Sequence, residues 1–239
     1  MPTTPDLTPT SYALLGLLAI KPWTAYELAI QMDRTVSRFW PRARSKLYEQ
    51  PKKLVARGLA SATDDAVGRR SRTIYAITPA GRRALADWVA APGQGPVLEF
   101  EQLMKVFFAD NGTTEDLRRT LQDARAWAQE RTVLNIEVGR SELEGRGPFP
   151  ERAAVNVLVG RFLDDFLDAV DRWAVWAAKT TENWPPFPGD AEADRVALAE
   201  TIERAVDRAA RWEAARAADD PAPRRSRESR TARGQRPMA

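Results

Sequence analysis

Cysteine and histidine are both absent from the 239 residues. Their absence removes disulfides, thiol nucleophiles, Ser/His triads and the usual zinc ligands in one step. A chain without cysteine fits a reducing cytoplasm, which is the compartment expected. Long hydrophobic runs are missing too. No stretch approaches the roughly 18 apolar residues that cross a bilayer, so no membrane partner is expected. The opening MPTTPDLTPT has neither the basic nor the apolar region of a signal peptide. An enzyme would need a nucleophile–base pair or a metal cluster, and neither is legible. Asp164, Asp165, Asp168 and Asp171 do place carboxylates near one helix face. They are interspersed with an apolar stripe and read as a solvated edge. No cofactor is expected.

What the chain has is charge, unevenly spread. Residues 1–92 carry 14 Lys+Arg against 7 Asp+Glu, residues 93–218 carry 16 against 23, and residues 219–239 carry 6 against 3. The formal net charge of +3 therefore hides a basic N-terminal module joined to an acidic body. Lys and Arg that neutralise phosphates release condensed counterions, so a basic module suits a polyanion. A solvated charged surface has the same composition, so the charge has to be read together with the pattern.

The pattern centres on residues 44–85. A basic amphipathic segment from Arg44 to Arg57 ends at Gly58, followed by the short run Leu59–Thr63. A polar loop holds Asp64, Asp65 and Gly68 as turn residues, then come Arg69, Arg70 and Arg72 and a strand-like run from Thr73 to Ile77. Thr78-Pro79 opens another helix, which runs through Leu85 and Trp88 to the breaker Pro92-Gly-Gln-Gly-Pro96. Upstream, Thr8 or Thr10 caps a helix to about Ile20, with Pro9 tolerated in its first turn. Leu14, Leu15, Leu17, Leu18 and Ile20 cover much of its circumference, which predicts burial on more than one side. Thr24 with Glu27 forms a capping box for a second helix whose inner face is Tyr26, Leu28, Ala29 and Met32. Two short helices before a basic third, then a hairpin with a basic tip, is the order of a winged helix-turn-helix.

This places the candidate DNA contacts. Arg44, Ser45, Lys46 and Tyr48 lie at the start of the third helix, nearest base edges or flanking backbone, while Lys46, Lys52 and Lys53 suit phosphates. Arg69, Arg70 and Arg72 suit phosphates or a narrow minor groove beside the wing. Pro51 is tolerated if the regular helix starts near Glu49 or Gln50; otherwise the helix kinks there.

Beyond residue 96 the pattern is helical throughout. Leu98–Ala109 is short and apolar. Thr113 with Asp116 opens a helix over residues 114–144, and GRGPFP (145–150) is a turn. Val155, Leu158, Phe162, Phe166, Val170, Trp173 and Ala177 then recur at intervals of three or four. Trp184-Pro-Pro-Phe-Pro ends that helix, and Asp190 caps a last one to about Ala218. Residues 219–239 have too few apolar side chains to fold and read as a disordered basic tail. The fold class expected is mostly α, with a winged helix-turn-helix of three helices and a two-stranded wing over 8–91 and a helical dimerisation domain over 97–218. Two long helices with broad apolar stripes point to a homodimer, the alternative being an intramolecular bundle.

The segments SYALLGLLAIKPWTAYEL, LYEQPKKLVARGL and RRSRTIYAITPAGRRAL resemble the PadR family of bacterial transcriptional regulators. Leu47-Tyr48, Gly58-Leu59, Tyr75 and Thr78-Pro-Ala-Gly81 match the family pattern as they stand. The resemblance covers about residues 8–91, and residues 98–180 resemble the family's dimerisation domain in layout. Pro51 stands where most members have leucine, and the last helix and tail extend past the usual end. The resemblance implies a homodimeric repressor on double-stranded DNA with a palindromic operator, released by a small aromatic or amphipathic effector at the dimer interface. Trp127, Phe162, Phe166, Trp173 and Trp176 are the candidates to line an effector pocket. An ordinary aromatic core gives the same stripe. The competing function is a protein-interaction adaptor whose winged helix no longer binds DNA; the basic face argues against it.

Overall fold

A computed structural model describes residues 7–41, 47–67, 70–186 and 195–219. The predicted disordered tail, the Asp190 cap and the basic stretch before Leu47 fall outside these residues, apart from the helical end at Asp219. The molecule is mostly helical with one small antiparallel sheet. Helix α1 (Pro9–Ile20) is its organising element. Thr8 is its cap, accepting a hydrogen bond from the Ser11 N–H at 3.3 Å, with Pro9 as the first helical residue. Leu14, Leu15, Leu17 and Leu18 are buried and the apolar residues face all round, so α1 packs on four other elements of the N-terminal core. A helix apolar on every side has to lie inside.

Strand β1 (Trp23–Thr24) leads directly into α2 (Ala25–Arg34). The predicted capping box is present: Thr24 N–H donates to Glu27 Oε2 at 2.8 Å and Glu27 N–H to Thr24 Oγ1 at 3.2 Å. Leu28 and Met32 are buried, but Tyr26 is 66% exposed rather than on the inner face. At 100° per residue Tyr26 stands about 200° from Leu28, so the two cannot share a face. Helix α3 (Gln50–Ala56) follows a short 3-10 turn, Val36–Arg38. Of the two readings of Pro51 the first holds, because the regular helix begins at Gln50 and Pro51 sits in its first turn. Gly58, at φ +69°, closes α3. Its N–H reaches the Val55 carbonyl at 2.9 Å, and the Leu59 N–H reaches Leu54 at 2.9 Å. Both bonds satisfy carbonyls the helix end leaves over.

The wing is longer than expected. Strands β2 (Ala60–Val67) and β3 (Arg70–Ile77) pair antiparallel with Ala60 opposite Ile77 and Val67 opposite Arg70. Asp64 and Asp65 therefore lie in β2, not in the turn. Aspartate is a poor strand former, yet here each carboxylate has a cross-strand donor: Thr73 Oγ1 for Asp64 at 2.9 Å, and Arg72 for Asp65. The sheet also has a third strand, since β1 pairs with β3 through Trp23 opposite Tyr75. Helix α4 (Pro79–Ala90) is capped by Thr78, whose Oγ1 accepts from Gly81 N–H at 3.0 Å, and Trp88 stacks on Tyr12.

The helical half comprises α5 (Glu101–Phe107), α6 (Thr114–Leu143), α7 (Ala153–Thr180) and α8 (Arg195–Asp219). Thr113 and Asp116 form the expected capping box, which holds the Asp116 carboxyl below the usual range, chiefly through the Thr113 hydroxyl. Helices α6 and α7 pack along their length. Leu117, Leu121, Ala124 and Ala128 on α6 meet a seam of Leu167, Val170, Ala174 and Ala177 on α7, all buried. The predicted α7 stripe is only partly this seam. Val170 and Ala177 are in it, while Val155, Leu158 and Phe162 in the N-terminal half are more than half exposed. No described residue of α8 is buried. No helix among the described residues is long and apolar enough to cross a membrane.

Candidate nucleic-acid interface

Helix α3 has two unlike sides. Pro51 and Leu54 are buried, and Gln50, also buried, accepts a hydrogen bond on its Oε1 from Ser11 Oγ at 3.3 Å. That bond ties the start of α3 to the start of α1. Between these anchors Lys52 and Lys53 face solvent, and Tyr48, just before the helix, is 59% exposed. A helix fixed from behind with two adjacent lysines in front is suited to an extended anionic surface. Arg44, Ser45, Lys46 and Arg69 lie outside the described residues, as does the side chain of Arg70, whose backbone opens β3.

Arg72 is exposed and sits in the wing as expected, but it is not unattached. Its Nε and Nη2 both donate to Asp65 Oδ2, at 2.9 and 2.7 Å. An exposed pair of this kind contributes about 0–1 kcal/mol, so it orients the guanidinium without locking it away. Arg72 and Lys21 also act on Glu27, whose carboxyl is held below its usual value mainly by the Thr24 backbone N–H. The α2 N-terminus, the wing and the loop before β1 thus share one electrostatic neighbourhood.

Sequence reasoning missed several surface aromatics here. Tyr26 stands exposed in the first turn of α2, and Phe39 and Trp40 are exposed in the connection towards α3. Trp40 Nε1 donates to Thr10 Oγ1 at 3.2 Å. The helical period of α2 was sufficient to put Tyr26 outside; nothing in the connecting segment marked the other two.

Three of the five aromatic residues proposed for an effector come together. Trp127 and Phe166 are 6.5 Å apart by ring centroids, and Phe100, not anticipated, bridges Trp127 at 6.4 Å and Trp173 at 5.9 Å. Phe162 and Trp176 are exposed and make no ring contact with this group. A separate open cleft of about 380 Å³ between α5 and α6 is lined by Met104, Phe108, Leu117 and Thr120 among others, and by none of the five. Three carboxylates of the acidic row on α7 are paired with arginines, Asp165 with Arg161, Asp168 with Arg172 and Asp171 with Arg125, and Gln129 also donates a hydrogen bond to Asp171.

Residues 14–87 match the model of the transcriptional regulator PadR-like family. A probable transcriptional regulator of Mycobacterium tuberculosis, Rv1176c, is 32% identical over 82 residues, which are 34% of this chain and 43% of that one. The negative transcriptional regulator PadR of Bacillus subtilis is 26% identical over 99 residues, 41% of this chain and 54% of the relative. The chain thus spans about half the length of the curated relatives it matches. Among solved structures, Bacillus subtilis PadR in complex with operator DNA superposes with a TM-score of 0.62, and the same protein with p-coumaric acid with 0.60. In both cases identity is 18%, with 72% of this chain and 98% of the other covered. At that identity the likeness is one of fold.

Proposed function

We propose, with the PadR-like match over residues 14–87 as the premise, that this chain is a sequence-specific DNA-binding transcriptional regulator. On this reading it is a cytoplasmic homodimer that represses by occupying a palindromic operator. The observation that carries the reading is α3: buried on Pro51 and Leu54, tethered through Gln50, and basic on its outer side. Inserted in a major groove, the segment from Arg44 to Tyr48 lies nearest the base edges. Lys52 and Lys53 then meet phosphates, and Arg69, Arg70 and Arg72 hold the neighbouring backbone or minor groove.

The dimer reading is supported by the apolar side chains the single chain leaves uncovered. Val155, Leu158 and Phe162 on α7 face solvent, as do Val133, Leu134 and Ile136 on α6 and Phe107 and Phe108 at the end of α5. Patches of this kind on adjacent elements mark interfaces, and two-fold closure would set paired α3 helices ~34 Å apart. The reading extends to a small aromatic effector at Trp127, Phe166 and Trp173, with Phe162 and Trp176 drawn in from the surface. The structure of Bacillus subtilis PadR with p-coumaric acid supports a ligand of that class.

The test is a footprint on the DNA upstream of the protein's own gene, with the mass of the complex. Two protomers on one protected palindrome is the expected result. Absence of any protected region on that or a randomised pool would move the assignment to the adaptor. Titration of hydroxycinnamic acids, followed by tryptophan fluorescence and operator release, tests the effector; silence in both readouts would remove it.

A further inference from the structure

Among the described residues, two side-chain contacts between the helical half and the winged helix fall at opposite ends of α2. The first is made by the α6–α7 turn. Gly145, at φ +69°, ends α6, with its N–H on the Glu142 carbonyl at 3.0 Å and the Arg146 N–H on Ser141 at 2.8 Å. The chain then doubles back and drives Phe149 into the N-terminal core, where only 6% of it stays exposed. Its ring meets Trp23 edge to face, 6.4 Å between centroids. Trp23 is itself immobilised. Its Nε1 donates to the Leu17 carbonyl at 3.0 Å, its backbone pairs with Tyr75, and Lys21 lies 4.2 Å over its ring. It stands two residues before α2.

The second contact lies beyond the other end of α2. Arg38, four residues after Arg34, donates through Nη2 to Asn135 Oδ1 on α6. Burial lowers the pKa of this guanidinium, and the partner is a neutral amide rather than a carboxylate. Arg38 as a whole stays exposed at the surface, so its bond to a neutral acceptor fixes geometry more than it adds Coulomb energy. The spans agree: the ten residues of α2 rise ~15 Å, and the nine from Asn135 to Leu143 rise ~13 Å before the turn. One attachment makes a pivot; two, separated by the length of a helix, fix an orientation.

We propose that the α6–α7 hairpin is a two-point clamp on α2, with Phe149 and Asn135 as positioning residues that set the separation and tilt of the two α3 helices in the dimer. This rests on the reading of a homodimer on a palindrome. Without the clamp the modules would swing, since relative motion is the default between domains joined by a small interface. With it, the protein reads the spacing of half-sites as well as their sequence.

The absence of cysteine supplies the test. Arg83→Cys, at an exposed position of α4, carries a single spin label per full-length chain, so the measured distance is that between protomers. The unaltered clamp gives one narrow distance distribution. Phe149→Ala and, separately, Asn135→Ala widen it about twofold or more, while Phe149→Leu keeps it narrow. Asn135→Ala removes no core side chain, so it stays informative if Phe149→Ala unfolds. On operator DNA with one or two base pairs inserted between half-sites, the clamp variants keep affinity that the unaltered protein loses. Distributions that stay narrow in both variants, or that are broad before any change, overturn the clamp. An absence of dipolar coupling shows a monomer, and then the dimer reading itself has failed.

Discussion

Replacing Gly81 by alanine decides whether the junction of α3, the wing and α4 is as tight as its geometry says. Glycine to alanine near the start of a helix ordinarily stabilises a protein by about 0.4–1 kcal/mol, because it restricts the unfolded chain. Here the added carbon would stand 2.1 Å from the Leu59 carbonyl oxygen and 2.9 Å from Ile77 Cγ1. The first obstacle is backbone and cannot rotate aside. It is also held, because the Leu59 carbonyl accepts the Thr78 N–H at 3.1 Å and Leu59 closes the end of α3. Relief requires α4 to move out by an ångström or more. Overpacking of this kind costs ~1–3 kcal/mol, and a backbone clash belongs at the upper end. Loss of the Thr78–Leu59 hydrogen bond adds about 1 kcal/mol. Net destabilisation is then about 2–3 kcal/mol, or a fall of roughly 5–10 °C in Tm for a chain of this size. Thermal unfolding followed by circular dichroism reads it. Gly16→Ala is the control, since a carbon added there meets nothing within 4 Å. If Gly81→Ala unfolds no lower than Gly16→Ala, the close approach is not real.

The other expectations are simpler. Lys52→Ala with Lys53→Ala lowers the salt dependence of operator binding by about one unit of slope per lysine while leaving the fold intact, read from log Kd against log salt; an unchanged slope removes these lysines from the interface. Phe162→Glu shifts the sedimenting species from dimer towards monomer with little change in helical content; an undisturbed dimer moves the interface elsewhere. The Glu27 carboxyl is held below 4.5, largely by the Thr24 backbone N–H. Its contribution to stability is therefore complete above that value and declines as pH falls through its lowered folded pKa. Glu27→Gln flattens that acid limb, and Thr24→Ala lowers stability by about 1 kcal/mol. A limb of unchanged steepness in Glu27→Gln would contradict the capping role.

What was legible in the sequence was mainly local. The Thr24–Glu27 and Thr113–Asp116 boxes each lie within four residues, and their bonds form as the spacing requires. The all-round apolar character of α1 foretold its burial, and Gly58 the end of α3. What escaped depends on contacts between distant residues. A two-residue strand has no periodicity of its own, so β1 is recognisable only through its pairing with β3. Asp64 and Asp65 carry turn chemistry until Thr73 and Arg72 are set opposite them. Phe149 reads as one residue of a turn; its burial beside Trp23 joins positions 126 apart. Of the aromatic set, Trp127, Phe166 and Trp173 gather around Phe100, which lies in a connecting segment with no helical period to mark it, whereas Phe162 shares only the helical spacing and stays exposed.

The measurement that bears most directly on the account is the affinity of the full-length protein for the DNA upstream of its own gene across a salt series, beside a scrambled duplex of equal length. The account predicts tight binding of two protomers that resists nonspecific competitor and weakens steeply as salt rises. Equal affinity for the scrambled duplex, or no binding even at low salt, would contradict a sequence-specific regulator.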